Sequence, residues 1–175
     1  MTVVPKKSAL RAGMDAEAYR SLMRHQAGAV TVIAAGVAPT RAGLTATAVA
    51  SLSDAPPTIL ACIQRKSGAH DVIASLAHFS VNVLSSDQQE IAERFAGRRG
   101  ERGEERFKDA HWHTLKTGAP VLSDALASLD CELVERHEFT THSIFIGRVI
   151  AGSFRADAQP LLYFRNDYWD IAEQK

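Results

Sequence analysis

The chain has 175 residues, 46% hydrophobic and 23% charged, which fits one soluble domain with a sizeable core. Its 20 basic and 20 acidic residues cancel, with seven histidines able to add positive charge below neutrality. No apolar run approaches the ~20 residues that span a bilayer, and no basic stripe suits nucleic acid, so neither a membrane nor a nucleic acid is an expected partner. The start, MTVVPKKSALRAG, lacks a signal-peptide core, so the expectation is a cytoplasmic protein with a flexible tail over 1–13 and one domain over 14–175. Asp15 can cap a helix running to about His25. AVTVIAAG at 29–36 is rich in β-branched residues and reads as a strand. VAPTRAG is a turn, Gly43 starts a second strand, and Pro56 and Pro57 end it. A third strand spans 58–63.

A helix is expected over 67–77, with Val72, Ile73 and Leu76 inward. Phe79 to Leu84 alternates as a strand. Ser86 then caps a short helix, with Gln89 completing a capping box, and Gly97 ends it. The charged run RRGERGEERFKD at 98–109 reads as a solvated loop or frayed helix, or as a mobile lid. Two long strands follow, around 125–136 and 142–152, and PLLYF at 160–164 is the last. The expected fold class is mainly β with flanking helices, a closed or half-closed barrel. No GxGxxG or Walker motif is present, which argues against a Rossmann domain or a P-loop. Cys62 and Cys131 sit in apolar runs and read as buried free thiols. No Cys or His spacing matches a zinc site. His111 and His113 fall on one face of a strand, as a metal pair or as a solvated pair.

The stretch GLTATAVASLSDAPPTILACIQRKS at 43–67 carries the most chemistry. Small side chains let a flat ligand approach the backbone, hydroxyls bond without bulk, and Lys66 beside Ser67 and Gly68 suits an anion such as phosphate. The same run also suits an ordinary hairpin with a Thr-rich outer face.

This stretch resembles the short-chain flavin reductases with an FMN-binding split β-barrel. Similar segments continue in order: FSVNVLSSDQQEIAERFAG, ERFKDAHW, GAPVLSDALASLDCEL, THSIFIGRV and PLLYFRNDY. The resemblance covers roughly residues 18–170. It is nearest to the reductase component of 4-hydroxyphenylacetate 3-monooxygenase and the related reductase of pyrimidine breakdown. It implies an NAD(P)H-dependent enzyme that reduces FMN or FAD and passes reduced flavin to a separate large monooxygenase, usually as a homodimer. The alternatives on the same fold are a non-catalytic flavin binder or electron carrier, and an oxidase of the pyridoxine-phosphate oxidase kind. Gly43, Leu44, Thr45, Ala46, Thr47, Ala48 and Ser51 would border the isoalloxazine and ribityl chain. Cys62, Ile63 and Gln64 would line the next strand, Lys66 and Ser67 would meet the phosphate, and Phe95 and Ala96 would cover part of the ligand. His142 would face the nicotinamide of NADH or NADPH. Two departures stand out: Thr140-Thr141-His142 where many relatives read Gly-Asp-His, and Gly147-Arg148-Val149 where many read Gly-Glu-Val. The second would alter the nicotinamide pocket or an inter-subunit ion pair.

Overall fold

The computed structural model describes residues 12–171, so the expected tail lies almost wholly outside the described residues. Helix α1 (Ala16–Met23) begins where Asp15 predicts it. The Asp15 carboxylate accepts from the amides of Glu17 and Ala18, both at 2.9 Å, satisfying two donors that a helix start leaves unpaired. The strand expected over 29–36 divides at Val30 into β1 (Gly28–Ala29) and β2 (Thr31–Ala35). The second expected strand divides too, into β3 (Ala42–Ala46) and β4 (Val49–Asp54). After a turn at the prolines, β5 (Pro57–Gln64) follows.

Beyond β5 come α2 (Gly68–Leu76), β6 (His78–Val83) and α3 (Gln89–Phe95). A short hairpin, β7 (Trp112–Thr114) with β8 (Pro120–Leu122), precedes the long pair β9 (Ala127–Phe139) and β10 (His142–Phe154). The final strands are β11 (Leu162–Phe164) and β12 (Asp167–Trp169), so PLLYF is followed by one strand more than expected.

Seven strands form one antiparallel sheet in the order β3-β2-β6-β9-β10-β5-β4. Its two edge strands, β3 and β4, are consecutive in the chain and joined only by Thr47 and Ala48. Laid flat at ~4.8 Å per strand, the edges would stand about 29 Å apart. The link between Ala46 and Val49 reaches at most about 11 Å. The sheet must therefore curl until its edges face each other. Among the described residues no ladder joins β3 to β4, so the barrel is split along that seam.

The barrel interior packs Ile33, Ile59, Ile63, Phe79, Val81, Cys131 and Phe145 with Ala69 and Ile73 of α2. A second cluster lies outside the barrel wall, where Val30, Val32 and Ala34 meet Leu84, Ala92, Phe95, Phe107 and Leu122. Strand β2 belongs to both clusters and is buried at every position. That explains its apolar run from Val32 to Ala35, since neither face meets water, while the buried Thr31 hydroxyl donates to the Ala46 carbonyl at 2.7 Å.

Three local expectations are corrected. In α2 the buried stripe is Ala69, His70 and Ile73, with Val72 half-buried and Leu76 exposed in the last turn. The capping box uses Ser85 and Gln88, one residue earlier than expected, with Gln88 Oε1 accepting from the Ser85 amide at 3.1 Å. The run SSDQQ permits either register. The Ser86 amide is already committed to the Gln159 carbonyl at 2.8 Å, which selects the earlier one. The 98–109 segment contains a 3-10 turn, Gly103–Phe107, and Phe107 is buried between Phe95 and Trp112 at ring separations of 5.0 and 4.9 Å. The segment is anchored rather than freely solvated.

Gly147 on β10 shows how tightly the barrel is filled. A Cβ there would lie 2.6 Å from Phe79 Cζ and 3.1 Å from Cys131 Cβ. Gly147→Ala is expected to destabilise the fold by about 1–3 kcal/mol through overpacking, read as a lower urea midpoint with an unchanged m-value. An unchanged midpoint would show that the core around Phe79 has slack.

Candidate functional site

Beside the open seam, a cleft of about 590 Å³ lies between β3 with its link and β5, within the range of small-molecule sites. Leu44, Thr45, Ala46, Thr47 and Ala48 form one wall along β3 and the link. Cys62 and Gln64 of β5 form the opposite wall, continued by Lys66, Ser67 and the start of α2. Phe95 and Ala96 close one end, and His142 at the first position of β10 borders the other strand, in register with Gln64. The sequence-predicted residues are thus brought together with three exceptions. Ile63 points into the barrel and is fully buried, because alternation along β5 sends only Cys62 and Gln64 to the cleft. Ser51 is exposed on β4 and does not border the cleft. Gly43 lies behind the wall, where a Cβ would come 2.7 Å from Phe95 Cε1. Its bareness makes room for the Phe95 ring, which closes the cleft, rather than for a ligand.

The hydroxyls of the run divide their work. Thr45 Oγ1 donates to the Ala92 carbonyl at 2.6 Å, tying β3 to α3. Thr47 is exposed in the link, where no such bond holds its hydroxyl among the described residues. One lining residue escaped the sequence reading. Arg106 reaches in from the 98–109 segment and donates to the carbonyls of Glu101 (3.0 Å), Gly43 (3.2 Å) and Phe95 (3.3 Å). Nothing local marks it, because its contacts lie up to 63 residues away in the chain. Nearby, Arg41 pairs with Glu104 and lies 4.5 Å over the Phe107 ring, holding the same segment down. The Glu104 carboxyl is correspondingly held below the ordinary carboxylate range, chiefly by that hydrogen bond from Arg41.

The electrostatics of the cleft are one-sided. Its lining contains Lys66, Arg106 and His142 and no carboxylate. The Lys66 end has a further feature. Ser67 is the N-cap of α2, yet its side chain makes no capping bond, and among the described residues its buried Oγ has no hydrogen-bond partner. An unpartnered buried hydroxyl is costly. Together with the amides of a helix start and an adjacent ammonium, it makes a donor set of the kind that suits an anion. On the same wall, as the ladder neighbour of Gln64, His142 is exposed, with Nδ1 2.9 Å from the Thr141 hydroxyl. When that hydroxyl donates to Nδ1, the neutral ring carries its proton on Nε2. Arg148, the departure noted in the sequence, lies off the cleft and pairs within the chain, 2.6 Å from Glu132 on β9. His113 hydrogen-bonds Ser123 Oγ at 3.0 Å, and no cluster of three metal-ligating side chains occurs among the described residues.

Residues 23–172 match the family described as flavin reductase like domain. The chain belongs to that family. It is similar to the FMN reductase (NADH) RutF 1 of Methylorubrum extorquens, with 40% identity over 162 residues, 93% of this chain and 79% of the relative. Among solved structures, it is similar to a homologue of nitrilotriacetate monooxygenase component B from Mycobacterium thermoresistibile, with 27% identity, a TM-score of 0.81, and coverage of 89% of this chain and 86% of the other. It is also similar to the NADH:FAD oxidoreductase SgcE6 of Streptomyces globisporus, solved with NAD and FAD fragments, with 27% identity, a TM-score of 0.82, and coverage of 90% and 93%. The fold of this flavin reductase family member is therefore the split barrel that its sequence resembles.

The two cysteines separate by environment. Cys131 is fully buried in the barrel, and its thiol pKa is pushed up to about 12, first by burial and then by the neighbouring Asp130 charge. Cys62 is only half-buried and borders the cleft, which corrects the expectation that both thiols are buried. Iodoacetamide at pH 8 is expected to label Cys62 in the native protein and Cys131 only after unfolding. Equal labelling of both in the native state would contradict this placement.

Proposed function

We propose that this protein is an NADH-dependent flavin reductase that binds FMN, or the FMN half of FAD, in the cleft at the barrel seam. The observation that carries this reading is the unpartnered, buried Ser67 hydroxyl at the start of α2, beside Lys66, in a cleft without carboxylates. These groups fit a phosphate, and the small residues Ala46, Thr47 and Ala48 fit a flat ring lying close to the backbone. The relatives named above support the same activity, with FMN and NADH in the name of one and FAD and NAD in that of another.

A flavin bound here supplies the hydride acceptor, so the protein needs no nucleophile of its own. Its residues bind, orient and shield. Lys66 and Ser67 would hold the phosphate, and the link at Thr47 and Ala48 would border the ring. Phe95 and Ala96 close one end of the cleft against water. His142 presents Nε2–H at the open side, where it can donate to the carboxamide of a nicotinamide and fix its approach. Arg106 adds positive charge above the same space.

The partner is a separate oxygenase that takes up reduced flavin, a reading supported by the neighbour that is a monooxygenase component. A homodimer is part of the proposal. It is supported by exposed apolar side chains on the long strands and on β4, where Leu52, Val134, Phe139 and Phe154 are at least half exposed. The proposed location is the cytoplasm; among the described residues no helix is long and apolar enough to cross a membrane. The catalytic domain is taken as 14–175.

Purified protein is expected to oxidise NADH steadily only when FMN or FAD is added. Turnover no higher than background at saturating flavin would refute the reductase reading and favour a flavin binder without turnover. Lys66→Ala with Ser67→Ala should weaken FMN binding by about ten- to a hundredfold, as for lost hydrogen bonds to a charged group. Riboflavin, which lacks the phosphate, should be affected much less. Equal losses for the two ligands, measured by fluorescence quenching, would remove this loop from the phosphate site.

A further inference from the structure

Helix α2 touches the cleft with its first residues and the barrel with its buried stripe. Its neighbours β2, β3 and β6 hold it largely by apolar packing. Among the described residues, one side-chain hydrogen bond joins it to a strand: His70 Nε2 lies 2.9 Å from Ser143 Oγ on β10. The His70 ring is 5% exposed and stands edge-on to Phe145, with centroids 5.3 Å apart and planes at 81°. Its Nδ1 is 2.8 Å from Asp71 Oδ1. A carboxylate only accepts, so Nδ1 carries a proton toward Asp71, and Nε2 and the Ser143 hydroxyl share the second bond.

Asp71, His70 and Ser143 stand in the order of a hydrolase relay, but Ser143 is fully buried and no substrate atom can reach its oxygen. The array is better explained by what it connects. Ser143 follows His142 on β10, and strand alternation sends its side chain into the barrel while that of His142 borders the cleft. His70 stands in the first turn of α2, and its amide donates to the Ser67 carbonyl at 3.1 Å. A single buried bond therefore spans from the anion-binding start of α2 to the strand that carries His142.

We propose that His70 is a positioning residue: through Ser143 it fixes the start of α2 relative to His142, and so sets the spacing between the flavin phosphate and the imidazole that meets the nicotinamide. This rests on the reductase reading above. His70 touches neither ligand. Without its bond, α2 keeps its apolar packing and Ser67 keeps its backbone bond to Gln64, the ladder partner of His142, but the first turn of α2 loses its side-chain tie to β10, so the spacing between Ser67 and His142 is held less tightly.

The test compares His70→Leu, His70→Gln and Ser143→Ala with the wild type. His70→Leu and Ser143→Ala should each weaken FMN binding while leaving riboflavin binding within about twofold. Each should also slow anaerobic flavin reduction at saturating NADH on the order of tenfold, as expected when reacting groups are slightly misplaced. His70→Gln, whose amide reaches the place of Nε2, should recover most of both losses. The double variant His70→Leu with Ser143→Ala should be no worse than either single one, since both remove the same bond. Should the variants melt at lower temperature yet keep the wild-type ratio of FMN to riboflavin affinity and the wild-type reduction rate, His70 is merely structural and the proposal fails. The affinity comparison needs no turnover. A wild type that binds FMN through Ser67 but never oxidises NADH would sink the reductase reading separately.

Discussion

The two residues between β3 and β4 constrain everything else in this molecule. Thr47 and Ala48 join strands that stand at opposite edges of a seven-stranded sheet. A link that short cannot cross a flat sheet, so the sheet curls. It also leaves the two edges facing each other without pairing. Unpaired strand edges are a liability in an isolated protein. Here the seam becomes the cleft, and the link itself becomes one of its walls. The Cys62 amide donates to the Ala48 carbonyl at 2.9 Å, which holds the end of the link against β5 and keeps the seam from opening further.

Around that seam the packing serves two layers at once. β2 is buried on both faces and gives the barrel and the outer layer a common wall. The outer layer delivers Phe95 to one end of the cleft, and Gly43 is bare because that ring lies against it. The 98–109 segment looks on sequence like a solvated stretch, but Phe107 is buried with Phe95 and Trp112, and Arg41 grips Glu104. This anchorage brings Arg106 over the cleft with its guanidinium on three backbone carbonyls. The positive character of the site thus comes from two distant parts of the chain.

Much of this was legible in the residues. Asp15 marked the first helix, and the small-residue run marked a close approach to backbone. Lys66 and Ser67, next to a helix start, border the cleft as their sequence suggests. Tertiary choices were not legible. SSDQQ permits two capping registers, and a carbonyl from residue 159 decides between them. Ile63 stands apart from Cys62 and Gln64 because the period of a strand turns it inward, and that much is readable from sequence. The role of Gly43 could not be read, because the ring it accommodates arrives from a helix some fifty residues later. The link at 47–48 was missed for the same reason: a continuous apolar and hydroxyl run shows no break until the sheet order is known.

The proposed flavin site lies at the barrel seam. A titration of isotope-labelled protein with FMN, followed by amide ¹H–¹⁵N spectra, tests that most directly. The account predicts shifts concentrated in 44–48, 62–68 and around His142, with the largest phosphate-dependent changes at Ser67 and Gly68 when FMN is compared with riboflavin. Shifts centred instead on the hollow between α1 and the turn at Arg165, with the seam residues unmoved, would contradict it.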